Sequence, residues 1–162
     1  MPEFEHPPIA RHDALAPLSR DHYGGLVQAR HLIRAADGDD VARRKAIAQF
    51  VDAWDREIAE HFRDEERLLG ALMDEADRRR LLDEHARLSA LASEARTMRR
   101  HVDPDPSALR QLGEALEQHI RWEERHLFNR LQDRLGAARL AELQRQSARL
   151  EASRPRHVKR TP

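Results

Sequence analysis

The inward-facing residues between positions 47 and 72 follow one another at alternating spacings of four and three. Side chains at those spacings lie on one side of an α-helix, so this stretch predicts a helix that packs one face in a bundle. The face is apolar except in its middle, where His61 and Glu65 interrupt it. Charged residues make up 36% of the chain and aromatic residues 4%, which is typical of amphipathic helices. We therefore predict an all-α protein.

Helix-breaking residues divide the chain into five predicted helices. The clearest break is Asp103-Pro104-Asp105-Pro106, where Asp105 is predicted to cap a helix that begins at Pro106. At 162 residues, the chain has the size of one domain. We predict an up-down-up-down four-helix bundle with an additional C-terminal helix. The predicted parts are an N-terminal arm at 1–12, the bundle at 13–152 and a disordered basic tail at 153–162.

A nine-residue segment occurs twice, as HFRDEERLL at 61–69 and as HIRWEERHL at 119–127. The two copies share His, Arg, two Glu, Arg and a final Leu at the same positions. One His and one Glu four residues apart are weak evidence, because such pairs occur on any charged helix. Two matching copies on different helices indicate a duplicated pair of helices with two equivalent metal half-sites.

The two other helices of the predicted bundle each carry one histidine on their apolar face, at His22 and His85. In an up-down-up-down bundle, side chains at one level have the joining turn at their midpoint in sequence. The midpoints fall just past Gly38-Asp39-Asp40, at Met73-Asp74 and at Asp103-Pro104. We therefore predict that the inward polar residues meet in one layer. They are His22, His61, Glu65, His85, His119 and Glu123.

A shared cation is the simplest explanation for six polar side chains in one core. Burying an ionised carboxylate or an unpaired imidazole is costly unless a partner compensates. Imidazole nitrogen and carboxylate oxygen suit iron, manganese and zinc. The chain has no cysteine, which excludes disulfides, thiolate sites, copper(I) sites and iron–sulfur clusters. We predict that the six side chains bind metal.

With these motifs the chain resembles the hemerythrin-like (HHE cation-binding) family, over about Leu15 to Leu135. The resemblance implies a non-haem diiron centre inside a four-helix bundle, with two iron ions (Fe²⁺/Fe³⁺). Glu65 and Glu123 would bridge the irons, together with an oxo or hydroxo group. The residues that carry the resemblance are His22, His61-x-x-x-Glu65, His85 and His119-x-x-x-Glu123.

The chain departs from the oxygen-carrying members of that family in two places. Those proteins have a second histidine one turn after the third-helix ligand, where Leu88 and Ser89 stand here. They also use a carboxylate five residues after the last histidine, which would be Glu124; the repeat favours Glu123 and leaves Glu124 as the alternative. Four histidines in place of five leave an open position on the metal, which favours reaction over carriage.

The resemblance therefore implies a protein that reacts with or senses O₂, peroxide or nitric oxide at an open iron position. A peroxide-decomposing, catalase-like activity is one form of this function, and whether the chain is an enzyme stays open. The alternative is non-enzymatic binding or storage of iron or oxygen. A third reading is a structural module in which the inward histidines have no function.

Acidic and basic residues balance at 29 each, so the net charge predicts binding neither to nucleic acid nor to a membrane surface. The first residues carry no apolar leader, and no stretch approaches ~18 unbroken apolar residues. We expect a cytoplasmic protein, a monomer or homodimer, whose partner is a small diatomic or peroxide ligand.

Other polar residues are predicted to lie away from the layer. His31 falls on the opposite side of its helix from His22. His126 lies ~10.5 Å along the helix axis from the ligand of its repeat, too far to bind the same metal, although a role in access stays open. Asp21 and Glu84 precede inward histidines, and because adjacent helix residues point ~100° apart, we expect neither to contact the site.

Overall fold

The computed structural model of the chain describes residues 10–154, and these are helical apart from short connections and ends. The described residues contain no β-strand, which confirms the all-α prediction. Residues 1–9 of the predicted arm and 155–162 of the predicted tail lie outside the described range. The helices are α1 (Ala16–Ala36), α2 (Asp40–Ala53), α3 (Ala59–Leu69), α4 (Glu75–Met98), α5 (Pro106–Trp122), α6 (Phe128–Arg134) and α7 (Ala137–Ala152).

Two wider turns join some of these helices into longer ones. α2 continues into α3 through a π-helical turn at Trp54–Ile58, and α5 continues into α6 through another at Glu123–Leu127. Such turns contain an extra residue and are frequent at functional sites. The first ends shortly before His61 and the second starts at Glu123, so each lies beside the predicted polar layer. The described chain thus forms five continuous helical segments.

Aspartate side chains cap three helices. Asp39, Asp74 and Asp105 accept hydrogen bonds from main-chain N–H groups at the starts of α2, α4 and α5, at 2.8, 2.8 and 3.1 Å. A cap of this kind stabilises a helix by about 1 kcal/mol. α5 begins at Pro106 directly after Asp105, as the sequence predicts.

The helices pack side by side. α1 lies along α5 and also contacts α2, while α4 contacts α2, α3 and α5. Gly113 permits the close approach of α1 and α5, because a Cβ atom there would lie 2.7 Å from the main-chain oxygen of Ala29. Between residues 10 and 154, none of the helices combines the length with the apolar character that crossing a membrane requires.

Two apolar clusters form the core, and the predicted polar layer lies between them. In α4, for example, Leu81 belongs to the smaller cluster, His85 follows, and Leu88 belongs to the larger cluster. The other long helical segments also pass from one cluster to the other at their inward histidines. The larger cluster includes Leu32, Ile47, Phe50, Leu109 and Leu112, and the smaller one includes Leu15, Leu69, Leu127, Phe128 and, from α7, Leu140 and Leu143.

Candidate metal centre

Six ionisable side chains are buried in the layer between the apolar clusters. Glu65 and Glu123 are inaccessible to solvent, and the four histidines are between 1% and 7% exposed. The structure therefore brings together the six residues that the sequence singled out, and their binding of a metal stays a prediction. They are His22 of α1, His61 and Glu65 of α3, His85 of α4, His119 of α5 and Glu123 of the second π turn.

Glu65 directs its two carboxylate oxygens at different histidines. Oε1 lies 2.8 Å from Nε2 of His61 and 3.2 Å from Nε2 of His22. Oε2 lies 3.3 Å from Nε2 of His85. We call His22 and His61 the first half-site, and His85 and His119 the second. Glu65 thus gives one oxygen to each half-site.

Glu123 has the complementary arrangement. Its Oε1 lies 3.1 Å from Nε2 of His119 and 3.9 Å from Nε2 of His85, both in the second half-site. Its Oε2 lies 3.0 Å from Nε2 of His22 in the first half-site. Both carboxylates therefore lie between the two half-sites, as bridging ligands would.

Within the described residues, two groups bring potential ligand atoms within 4.8 Å of one another. Glu65 belongs to both groups, as a ligand shared by two cations must. The groups are Glu65, His85, His119 and Glu123 on one side, and His22, His61 and Glu65 on the other.

Several inner atoms of the layer lack a hydrogen-bond partner among the described residues, although they lie close together. A buried polar atom without a partner is unfavourable, and native structures contain few of them. A cation would accept a lone pair from every one of these atoms, and imidazole with carboxylate is a donor set that borderline metals prefer. The residues present therefore fit two cations. The atoms are Nε2 of His61, His85 and His119, Oε2 of Glu65 and both carboxylate oxygens of Glu123.

Each histidine also contacts a carboxylate through its outer nitrogen, Nδ1. When Nδ1–H donates to a carboxylate, the proton stays on that nitrogen and Nε2 keeps its lone pair for a metal. We call these four groups the outer carboxylates. They are Glu124 at 2.6 Å from His22, Glu66 at 2.8 Å from His85, Asp21 at 3.2 Å from His61 and Glu84 at 3.3 Å from His119.

The outer carboxylates follow the duplication seen in the sequence. Glu65-Glu66 reach both ring nitrogens of His85, and Glu123-Glu124 reach both ring nitrogens of His22. The two adjacent glutamates of each repeat therefore serve the histidine of another helix. Glu124, the alternative metal ligand, therefore lies on the Nδ1 side of His22. Glu65 and Glu123 lie on the opposite side, at Nε2.

Asp21 and Glu84 correct one prediction from the sequence. We expected neither to contact the site, because adjacent residues on a helix point in different directions. Each does point away from the histidine beside it in sequence. However, Asp21 contacts His61 and Glu84 contacts His119, because their side chains reach the neighbouring helix.

The pKa values of the layer are shifted in opposite directions for acids and bases. Burial lowers the pKa of His61, but the charge of Glu65 and the close carboxylates of Glu65 and Asp21 outweigh it and raise the pKa to about 9. A similar balance raises the pKa of His85 and of His119 to about 9. Burial and the charge of Glu65 raise the pKa of Glu123, but nearby histidines outweigh them and lower it to about 2. Without a cation, protons on the imidazoles therefore balance the carboxylates.

His31 and His126 both lie outside the layer. His31 is exposed, which confirms its predicted place on the surface. His126 is also exposed, and the role in access considered for it stays an alternative.

A cavity of about 350 Å³ opens at the surface and reaches the first half-site. Of the four buried histidines, His22 and His61 line it. Apolar walls come from Ile58, Phe62 and Ile120, and charged side chains also line the cavity. A small molecule can therefore approach the layer at the first half-site.

Fold and layer together define an all-helical domain that concentrates histidines and carboxylates in its core. The family model of the hemerythrin HHE cation-binding domain matches residues 13–131, a range that contains all six layer residues. The chain belongs to this family, which confirms the resemblance found in the sequence. Comparison with curated proteins and with solved structures gives no match.

Proposed function

We propose that the chain binds two iron ions, one in each half-site, and reacts there with O₂, peroxide or nitric oxide. The observation that supports this most strongly is that Glu65 and Glu123 each give one oxygen to each half-site. Membership of a cation-binding family adds support. We also propose that the four longest helical segments form the up-down-up-down bundle predicted from the sequence, with α7 as the additional helix.

Each ion would have two nitrogen and two oxygen donors from the protein, a set that suits iron. The place of Glu124 on Nδ1 of His22 supports Glu123 as the ligand of the second repeat. Bound iron would supply redox chemistry toward a small ligand at a position that the protein leaves open. The proposed ligands are His22 and His61 for one ion, His85 and His119 for the other, and Glu65 and Glu123 between them.

The chain itself contributes orientation and protection from water. The outer carboxylates hold a proton on Nδ1 of each histidine, so that Nε2 is the nitrogen that faces the layer and gives its lone pair to a cation once its own proton has left. The apolar clusters on both sides of the layer exclude bulk water, which strengthens electrostatic interactions inside it. The four imidazoles are therefore oriented before any cation binds.

The cavity supports the proposed class of ligand. Its volume of about 350 Å³ accommodates a diatomic molecule or a peroxide beside His22 and His61. The walls formed by Ile58, Phe62 and Ile120 favour neutral ligands, because burying a charge beside apolar groups is costly. O₂, nitric oxide and hydrogen peroxide are all neutral.

Non-enzymatic binding or storage of iron or oxygen is the second candidate function. The complete burial of Glu65 and Glu123 favours it, because an enclosed site limits side reactions with water. The two candidates differ in turnover. A peroxide-decomposing protein consumes hydrogen peroxide over many cycles, whereas a binding protein consumes no more than its iron can reduce.

Metal analysis and optical spectroscopy of the protein from iron-supplemented cells test the proposal. We expect two irons per chain, a charge-transfer band in the oxidised form, and a spectral change when the anaerobic ferrous form meets O₂, hydrogen peroxide or nitric oxide. His119→Ala should lose iron, while the exposed control His126→Ala should retain it. A chain that takes up no iron under anaerobic conditions, or a ferrous form indifferent to all three ligands, contradicts the proposal.

The proposed partner is thus a small molecule. The cytoplasmic location, the monomeric or homodimeric state and the lack of nucleic-acid and membrane partners remain predictions from composition and charge.

A further inference from the structure

Arg11 precedes α1 and reaches across to the second π turn and α6. Its side chain is only 9% exposed. Nη2 donates hydrogen bonds to Oε2 and to the main-chain oxygen of Glu124, at 2.8 and 2.7 Å. Nη1 donates to Asn129 and Gln132, both at 3.2 Å. The guanidinium is therefore fixed from two sides.

Glu124 connects Arg11 to the first half-site. Its Oε1 accepts hydrogen bonds from Nδ1 of His22 at 2.6 Å and from the hydroxyl of Ser19 at 2.5 Å. Phe128 provides a second connection. Its ring stacks on His22 with the centroids 5.5 Å apart, and the guanidinium of Arg11 lies 5.2 Å from the centroid of the same ring. Arg11 therefore contacts both groups that hold the His22 ring: Glu124 at its Nδ1 edge and Phe128 on one face.

The other outer carboxylates are held less firmly. Side-chain exposure rises from 22% for Glu124 to 53% for Asp21. Glu84 has an arginine partner, Arg80, but that arginine lies on the same helix, is 52% exposed and is 3.4 Å away. Among the four outer carboxylates, Glu124 therefore has the shortest and most buried connections to its surroundings.

We propose that Arg11 is a positioning residue for His22 and thereby determines how tightly the first half-site holds its cation. This inference rests on the proposed function. Without Arg11, Ser19 is the one further partner that Glu124 keeps among residues 10–154, and the carboxylate is free to turn toward solvent, which removes the partner of Nδ1. Loss of such a partner typically weakens metal binding about 10- to 100-fold.

The second half-site is expected to respond differently. Its outer carboxylates, Glu66 and Glu84, come from α3 and α4 and make no contact with Arg11 in the described residues. A change at Arg11 should therefore separate the affinities of the two half-sites, whereas a general loss of stability would lower both.

Titration of the metal-free full-length chain with Co²⁺ tests the inference. Arg11→Gln should weaken one of the two binding steps by about 10-fold or more and leave the other within about two-fold. Arg11→Lys keeps the charge but not the paired donors of the guanidinium, and it should fall between Arg11→Gln and the unaltered chain. Arg125→Gln, a change at an exposed arginine next to Glu124, is the matched control and should titrate like the unaltered chain.

Ser19→Ala provides a second variant, which leaves Arg11 in place and removes only the hydroxyl that donates to Glu124. It should weaken the same step as Arg11→Gln, but less. Unchanged affinities in both variants, or equal weakening of both steps, overturn the inference and leave the proposed function intact. An unaltered chain that binds neither Co²⁺ nor iron overturns both.

Discussion

A carboxylate oxygen of Glu65 and one of Glu123 both lie close to the same ring nitrogen of His22. The distances to Nε2 are 3.2 Å for Glu65 and 3.0 Å for Glu123. Both carboxylates also face His85, at 3.3 and 3.9 Å from its Nε2. The two histidines that lie outside the sequence repeat are thus joined through the two glutamates that belong to it. Substitution of either glutamate should therefore change metal binding at both half-sites.

Glu123→Gln keeps the shape of the side chain and removes its charge. Because the carboxylate serves both half-sites, we expect the variant to lose both cations and not one, with affinity reduced more than about 100-fold, above the usual loss for an outer partner. Metal analysis after equilibrium dialysis measures this. Glu114→Gln, at an exposed glutamate of α5, should bind like the unaltered chain. A variant that keeps one ion with full affinity would show that Glu123 serves a single half-site.

Removal of the metal should lower the thermal stability of the protein. A cation that binds only the folded chain stabilises it by about 2.7 kcal/mol at a free concentration of 100 times Kd. For a chain of this size that corresponds to a rise in Tm of about 5 to 10 °C per ion. Calorimetry before and after chelation measures the difference. His126→Ala should behave like the unaltered chain, and His85→Ala should lose the response; an unchanged Tm on chelation would mean that the layer does not bind metal.

The metal-free protein should lose stability between pH 6.5 and 9. His61, His85 and His119 have an ordinary pKa of 6.5 and a pKa of about 9 in the folded chain, so the folded state binds more protons than the unfolded state in this range. Their contribution to the free energy of unfolding is complete below pH 6.5 and disappears as the pH rises through 9. Denaturant unfolding at a series of pH values tests this.

The lowered pKa of Glu123 acts at the other end of the pH scale. Its contribution is present above pH 4.5 and disappears as the pH falls toward 2. The metal-free chain should therefore be most stable between these two ranges, at about pH 4.5 to 6.5. Stability that rises from pH 6.5 to 9 in the absence of metal would contradict the proton balance inferred for the layer.

Gly25→Ala should slow the access of ligands to the first half-site. A Cβ atom there would lie 2.8 Å from Cδ1 of Ile120, which forms a wall of the cavity, so that wall must move. Gly24→Ala is the matched control on the same helix, because its Cβ would make an ordinary contact of 3.5 Å with Glu57. Stopped-flow mixing of the iron-loaded ferrous protein with nitric oxide measures the rate. Equal rates in the two variants would mean that ligands enter by another route.

The burial of the six layer residues was predictable because the spacing of apolar residues in the sequence indicates which face of each helix lies inward. Inward positions recur every three or four residues, so His61 and Glu65 had to lie on the face that also carries Ile58 and Leu68. The level at which the helices meet followed from the turns, and the cap at Asp105 from local chemistry alone. These features depend on one helix or one connection at a time.

The outer carboxylates were not predicted, because they depend on how neighbouring helices face each other. Asp21 contacts a histidine of α3 and Glu84 a histidine of α5, and neither pairing is visible in the sequence of a single helix. One signal was present. Both repeats keep a second glutamate, Glu66 and Glu124, directly after the inward one, and both occupy the same outer position.

The π turns also escaped prediction. Trp54–Ile58 and Glu123–Leu127 contain neither glycine nor proline, and the spacing of the apolar residues continues around them.

Arg11 was unpredictable for a different reason. It lies ahead of the first helix, where no periodic pattern indicates burial, and its partners are more than 100 residues away in sequence.

The exchange of partners between repeats has a consequence for the integrity of the chain. His22 stands in the first half of the duplication, but Glu123-Glu124, which contact both of its nitrogens, stand in the second. His85 stands in the second half, and Glu65-Glu66 reach it from the first. Each half thus supplies the counter-charges for an imidazole of the other. The layer thereby acts as a reciprocal cross-link between two halves of a protein that has no cysteine with which to form one.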